Sequence, residues 1–220
     1  KINIKLTLTK DNYLERVQKM LNHIHRGDIY EANFCQEFFA EDFSINPLEV
    51  YKKLNSISNP PFAAFFKHLN HFAMCASPER YLKKEGNKLI SQPIKGTAKR
   101  SKNKQKDKGL MIVDLVRNDL SQTAQKNSVN VEELCEIYSF DQVHQMISTV
   151  VSKLKPETHI VDAIKTTFPM GSMTGAPKIS AMKIIEDLEV SKRGLYSGAI
   201  GYFTPENNFD FNVVIRSILY

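Results

Sequence analysis

The sequence predicts an α+β fold, because two periodicities interleave along the chain. Short runs alternating apolar and polar residues recur between turn residues, as half-buried strands require, and between them lie stretches with apolar residues three and four apart, as helices require. No Gly/Ser-rich or Pro-rich linker and no solenoid repeat divides the 220 residues, so residues 1–220 are expected to form a single domain. Between Asp11 and Arg26, Leu14, Val17, Leu21 and Ile24 form an apolar stripe, with Asp11 to cap the helix and Gly27 to end it. Asp28 to Phe39 then alternates as a strand, with Tyr30, Ala32, Phe34 and Phe38 on one face. Pro47 to Ile57 reads as a helix begun by proline, followed by strands at Pro61–Lys67, His71–Ser77, Arg80–Lys84 and Lys88–Gln92, the last two joined by a Gly86-Asn87 turn. Leu110 to Leu120 is helical, and short strands are expected near Val129 and Ile137. A helix from His159 to Phe168 precedes another starting at Pro177, with Ile179, Met182, Ile185 and Leu188 on one side. Two long strands, Tyr196–Phe203 and Phe209–Tyr220, finish the chain across a turn at Pro205–Asn208.

Composition narrows the functional classes. With 42% hydrophobic residues the chain can bury a core, and no apolar run reaches the roughly 18 residues that span a bilayer. The first residues carry charges where a secretory signal needs a continuous apolar stretch, so a soluble cytoplasmic protein with no membrane partner is expected. Cys35, Cys75 and Cys135 are odd in number and lack a CxxC pair, which argues against a disulfide framework or a structural zinc site. The formal charge of +6 comes from one segment, Lys95 to Lys108, whose basic residues have no aromatic neighbour on which a base could stack; it reads as a solvated mobile loop, and no nucleic-acid partner is expected.

Several motifs could carry chemistry. Gly171-Ser172-Met173-Thr174-Gly175-Ala176-Pro177-Lys178 leads from a loop into a helix, where free N–H groups attract an anion; it is not a Walker A loop, because Ala176-Pro177 separates Gly175 from Lys178. Lys95, in Pro93-Ile94-Lys95-Gly96-Thr97, is either a solvated cation or, in an apolar pocket, a nucleophilic amine. Glu79, sixteen residues earlier, is either part of a Glu79–Arg80 surface edge or, if burial keeps it protonated, a general acid. His144 could donate a proton, and Arg216, on the final strand with Tyr196 on its neighbour, could fork onto a carboxylate. Asp114 and Arg117 share a helix face and read as a salt bridge, with Asn118 and Asp119 finishing that helix.

In order, Gly27-Asp28-Ile29-Tyr30, Ser77-Pro78-Glu79-Arg80, Pro93-Ile94-Lys95-Gly96-Thr97, Met111 to Asp119, Gly171 to Lys178, Arg193 to Tyr202 and Asn212 to Arg216 closely resemble the chorismate-binding enzymes over nearly the whole chain. The resemblance implies two packed, largely antiparallel sheets flanked by helices, a four-layer α/β/β/α arrangement like that of anthranilate synthase component I. Anthranilate-forming members carry alanine where Lys95 stands, while members that make 4-amino-4-deoxychorismate, on the route to p-aminobenzoate and folate, carry Pro-Ile-Lys-Gly-Thr. The resemblance therefore implies the latter activity, with anthranilate formation or an inactive chorismate-binding subunit as alternatives. It further implies that Lys95 attacks C2 of chorismate, that Glu79 protonates the departing C4 hydroxyl, and that ammonia from a glutamine amidotransferase subunit adds at C4. Thr97, His144, Ser172, Tyr196 and Arg216 match the substrate-lining positions.

Three departures stand out against that resemblance. Glu31 occupies a position where many members have glutamine and near which isochorismate-forming members place a water-activating lysine, so it disfavours that chemistry. Mg2+ is implied, but Lys108 stands where a ligand glutamate is expected just before the Met111 helix. Two further glutamates are expected beyond Tyr220. The domain is accordingly expected to be incomplete near 100–110 and at its C-terminus.

Overall fold

The computed structural model describes residues 2–99, 110–139 and 143–220, with the backbone alone described at 97–99, 110 and 143. The first part contains β1 (Lys5–Leu6), α1 (Lys10–Arg26), β2 (Glu31–Ala32), β3 (Phe38–Phe39) and α2 (Pro47–Ser58). A run of hairpins follows: β4 (Phe62–His68), β5 (His71–Ser77), β6 (Arg80–Glu85), β7 (Lys88–Gln92) and β8 (Ile94–Lys99). Then come α3 (Leu110–Ser121), β9 (Asn130–Ser139), β10 (Val143–Lys153) and α4 (Ile160–Thr167). The chain finishes with β11 (Gly175–Ala176), α5 (Lys178–Leu188), β12 (Ala199–Phe203), β13 (Phe209–Val213) and β14 (Ser217–Leu219).

The larger sheet is seven-stranded and runs β12-β13-β6-β7-β10-β8, with β9 on the other edge of β10, and a three-stranded sheet runs β14-β5-β4. Every described pairing in both is antiparallel. Asn212 on β13 ties the sheets together by donating to the Phe62 carbonyl at 2.9 Å. The main core gathers Leu82, Leu89, Val150 and Phe209 from the large sheet against Ile112 and Leu120 of α3 and Ala163 of α4. A second core sets Met20 of α1 and Ile29 against Ala181, Ile184, Ile185 and Leu188 of α5. Burying each Leu or Ile there contributes about 1.5–3 kcal/mol.

Several expected elements change on folding. Thr9, rather than Asp11, caps α1 by accepting from the Asn12 N–H, and Gly27 ends it with a φ of 82°. The buried face of α1 centres on Met20, leaving Leu14 52% exposed. The continuous strand expected over Asp28–Phe39 reduces to β2 and β3, and Tyr30 and Phe38 face solvent, because only these dipeptides find a pairing partner. In α5 the outward residues are Ile179 and Met182, since the helix docks through Ala181, Ile184, Ile185 and Leu188. The last expected strand breaks: β13 stays in the large sheet, Arg216 turns the chain with a φ of 51°, and β14 joins the small sheet. Asn46, whose side chain accepts from the Leu48 and Glu49 N–H groups, caps the proline-led α2 as its sequence requires. Residues 100–109, which hold most of the basic segment, lie outside the described residues. No helix among the described residues is long and apolar enough to cross a membrane.

Candidate active site

Glu79 sits between β5 and β6, and its backbone is fixed on both sides. The Val213 N–H donates to its carbonyl at 3.1 Å, and its own N–H donates to Ser77 Oγ at 3.2 Å. Its side chain points inward and is 4% exposed, so the surface-edge reading fails. The neighbouring Arg80 departs to the other face, where it forks onto Asp210 with two bonds of 3.0 Å and lies over the Phe62 ring. Burial pushes the Glu79 carboxyl up to about 7, against the hydroxyl of Ser172, the Ile94 N–H and the positive charges of Lys95 and Arg216, which favour the anion. Ser172 Oγ donates to Glu79 Oε1 at 2.7 Å. A carboxyl group with that balance is close to evenly divided between acid and anion at neutral pH, so it can both hold a proton and give it up.

Lys95 owes its aim to a defect in the sheet. Ile94 pairs with Ile147 and Thr97 with Gln145, so Lys95 and Gly96 together face Met146 alone, forming a β-bulge. Gly96 takes a φ of 85°, a conformation open to glycine. The Lys95 ammonium lies 3.1 Å from Glu31 Oε2 and is 32% exposed, so it is neither a free solvated cation nor enclosed in a dry pocket. It borders a cavity of about 410 Å³ lined also by Glu31, Asn33, Ile112 and Ser172. A second cavity of about 290 Å³ is lined by Glu79, Gln145, Tyr196, Arg216, Asn33 and Ser172. Asn33 and Ser172 border both.

The described structure thus gathers Lys95, Glu79, Ser172, Tyr196 and Arg216 around adjoining cavities. Tyr196 lies in the turn before β12 rather than on a strand, and its phenol is pushed up to about 12, mainly by burial. Arg216 holds its left-handed conformation at a cost of about 1 kcal/mol for a non-glycine residue. Its Nη1 and Nη2 both donate to the Gln145 side-chain oxygen at 3.3 Å, with that amide oriented by its hydrogen-bonding neighbours. His144 borders neither cavity; its Nδ1 lies 2.9 Å from Ser139 Oγ on β9. The side chain of Thr97 lies outside the described residues.

Sequence reasoning missed Asn33 and Gln145. Asn33 Nδ2 donates to the Ser172 carbonyl at 3.1 Å, while Gln145 is fully buried in β10. The Gly171–Lys178 loop lines the larger cavity through Gly171, Ser172, Thr174 and Gly175. The Lys178 ammonium turns away to Asp119 Oδ2 at 2.6 Å, a pair 15% and 9% exposed that ties α5 to α3. Asp119 thus does more than finish its helix, while Asp114 and Arg117 do pair, at 3.0 Å on the surface. Gly175 is needed for space: a Cβ there would sit 2.2 Å from the Glu31 carbonyl and 2.9 Å from Ala32 Cα. Gly175→Ala should therefore part β11 from β2 and lower stability by about 2–3 kcal/mol, read as a lower urea midpoint. A midpoint equal to the parent's would show that the strands yield freely.

Among the described residues, no three His, Cys, Asp or Glu side chains come together to hold a metal ion. The donor set expected for Mg2+ is therefore not found among them.

Aminodeoxychorismate synthase component 1 of Bacillus subtilis (strain 168) is 35% identical over 225 residues, covering 96% of this chain and 48% of that protein. The chloroplastic aminodeoxychorismate synthase of Arabidopsis thaliana is 36% identical over 229 residues, covering 96% of this chain and 25% of that protein. The chain thus spans about half the length of the bacterial relative and a quarter of the plant one. The crystal structure of anthranilate synthase component I from Streptococcus pneumoniae TIGR4 superposes with a TM-score of 0.88 at 30% identity, over 99% of this chain and 51% of that one. It shares the antiparallel sheets and flanking helices described above. A family model described as chorismate binding enzyme matches residues 1–220, and the chain belongs to that family.

Proposed function

We propose that this chain is the catalytic part of an aminodeoxychorismate synthase, converting chorismate and ammonia to 4-amino-4-deoxychorismate for p-aminobenzoate and folate synthesis. The observation that carries the reading is the pairing of an amine and a proton-bearing carboxyl group, Lys95 and Glu79, on adjoining cavities that share Asn33 and Ser172. The named relatives make the same activity the first to test.

The proposed steps draw on the protons and charges that these residues carry. Arg216 offers a guanidinium to a substrate carboxylate at the 290 Å³ cavity. The Lys95 amine adds at C2 while Glu79 protonates the C4 hydroxyl, which departs as water. Ser172, bonded to Glu79 Oε1, keeps that carboxyl oriented. Ammonia then adds at C4 and the lysine leaves. A glutamine amidotransferase subunit is proposed as the ammonia source and Mg2+ as a companion of the substrate; none of these steps runs through the metal.

Incubating the protein with chorismate, ammonium chloride and magnesium chloride, followed by chromatography and mass spectrometry, should yield 4-amino-4-deoxychorismate. Anthranilate as the product would assign the chain to the alternative chemistry, and unconsumed chorismate would mark it as an inactive binding subunit.

A further inference from the structure

Glu31 is the carboxylate nearest the amine on which the proposed chemistry depends, and that chemistry leaves its role unassigned. Strand β11 holds it from behind: Ala176 pairs with Glu31, the Tyr30 N–H donates to the Ala176 carbonyl at 2.7 Å, and the Asn33 N–H donates to the Thr174 carbonyl at 2.7 Å. One side-chain oxygen, Oε2, meets the Lys95 ammonium at 3.1 Å. The other, Oε1, is buried and has no hydrogen-bond partner among the described residues. A buried acceptor left unmade costs about 1–3 kcal/mol. Protonating the carboxyl group turns one of its oxygens into an O–H donor.

An amine bonded to carbon through its lone pair must first lose a proton, and free lysine keeps that proton up to about pH 10.4. The other groups bordering the two cavities are poorly suited to take it. Glu79 must itself arrive protonated to release the C4 hydroxyl. Burial holds the Tyr196 phenol up at about 12, and Arg216 is a permanent cation. Tyr13 borders the larger cavity beside Glu31 and Lys95 but is likewise a phenol. Cys35 borders neither cavity but is hydrogen-bonded to Tyr196, and its thiol is raised by burial.

We propose that Glu31 is the proton acceptor for Lys95, taking its proton as the amine attacks and returning it when the amine leaves. This rests on the reading of Lys95 as the nucleophile. The balance closes over one turnover. The Lys95 ammonium passes a proton to Glu31. The freed amine forms the N–C2 bond as the two ring double bonds each shift by one position and the C4–O bond breaks, and the hydroxyl leaves as water with the Glu79 proton. Ammonia then forms the N–C4 bond, both double bonds shift back, and the C2–N bond breaks. Lys95 departs as a neutral amine that recovers its proton from Glu31, and the new C4 ammonium returns a proton to Glu79.

The test is the rate of covalent adduct formation when the protein is mixed with chorismate and magnesium chloride, without ammonium. Rapid quenching and intact-mass measurement between pH 6.5 and 10 would follow the parent, Glu31→Gln, Glu31→Asp and Lys95→Ala. The Gln variant should form adduct at least roughly tenfold more slowly than the parent at pH 7.5, and its rate relative to the parent at the same pH, a ratio that cancels the Glu79 limb common to both, should rise about tenfold per pH unit as solvent takes over the proton. Glu31→Asp should keep the pH profile of the parent at a reduced rate; this variant carries the test if the Gln variant does not fold. A Gln variant as fast as the parent, or faster because loss of a counterion frees the amine, would overturn the proposal while leaving the Lys95 adduct standing. So would a slowing by the same factor at every pH, which marks a structural role. Absence of adduct in the parent would overturn the nucleophile reading, and this proposal with it.

Discussion

Lys95→Ala should abolish the covalent adduct and lower 4-amino-4-deoxychorismate formation by at least roughly 10³-fold, as removal of a nucleophile does. The amine sits on a bulge where its neighbours fix the backbone, so truncation removes the reactive group without disturbing β8 pairing on either side. It also leaves the Glu31 carboxylate without its 3.1 Å partner. Lys95→Arg separates the two effects: guanidinium keeps a cation beside Glu31 but has no nucleophilic lone pair at accessible pH. Both variants should lose the adduct, and Arg should retain more thermal stability. Product formation by Lys95→Ala at the parent rate would remove Lys95 from the chemistry.

Glu79→Gln should lower the rate by about 10²–10⁴-fold, the usual loss on removing a general acid. The parent should show a pH limb that the variant lacks. Because burial lifts the Glu79 carboxyl from 4.5 to about 7, its acid form is present below pH 7 and is lost above it, so loss of the C4 hydroxyl should slow with rising pH from that point. Stability must move with the same sign. The contribution of protonated Glu79 is complete below about pH 4.5 and is lost as the pH rises through about 7, a change of about 3 kcal/mol. Glutamine is neutral throughout, so Glu79→Gln should melt at or above the parent temperature at pH 8. An inactive variant that melts well below the parent at pH 8 would show that the carboxyl supports the fold instead.

The hairpins from Phe62 to Gln92 were legible because each pairs with its sequence neighbour, so alternation and the Gly86-Asn87 turn carry the information locally. Strand β10 was not, since residues 145–152 are all buried and their run shows no alternation between wet and dry faces. The final strand appeared continuous because its apolar pattern runs through Arg216, where the backbone turns into another sheet. Within the candidate site, Glu79 and Lys95 lie in recognisable motifs. The Glu31–Lys95 pair, the Asn33 bond to Ser172 and the Lys178–Asp119 tie join residues far apart in the chain, and no local spacing encodes them.

The bulge at Lys95 and Gly96 also separates direction from reactivity. The extra residue in the strand decides where position 95 points, and the side chain there decides only what arrives. One codon can therefore exchange the reagent delivered to a bound ring while the scaffold keeps its pairing. Deleting one residue at the bulge would do the reverse, closing the ladder and turning the amine to the opposite side of the sheet. A substitution at position 95 thus changes the chemistry delivered, whereas an insertion or deletion there changes its aim.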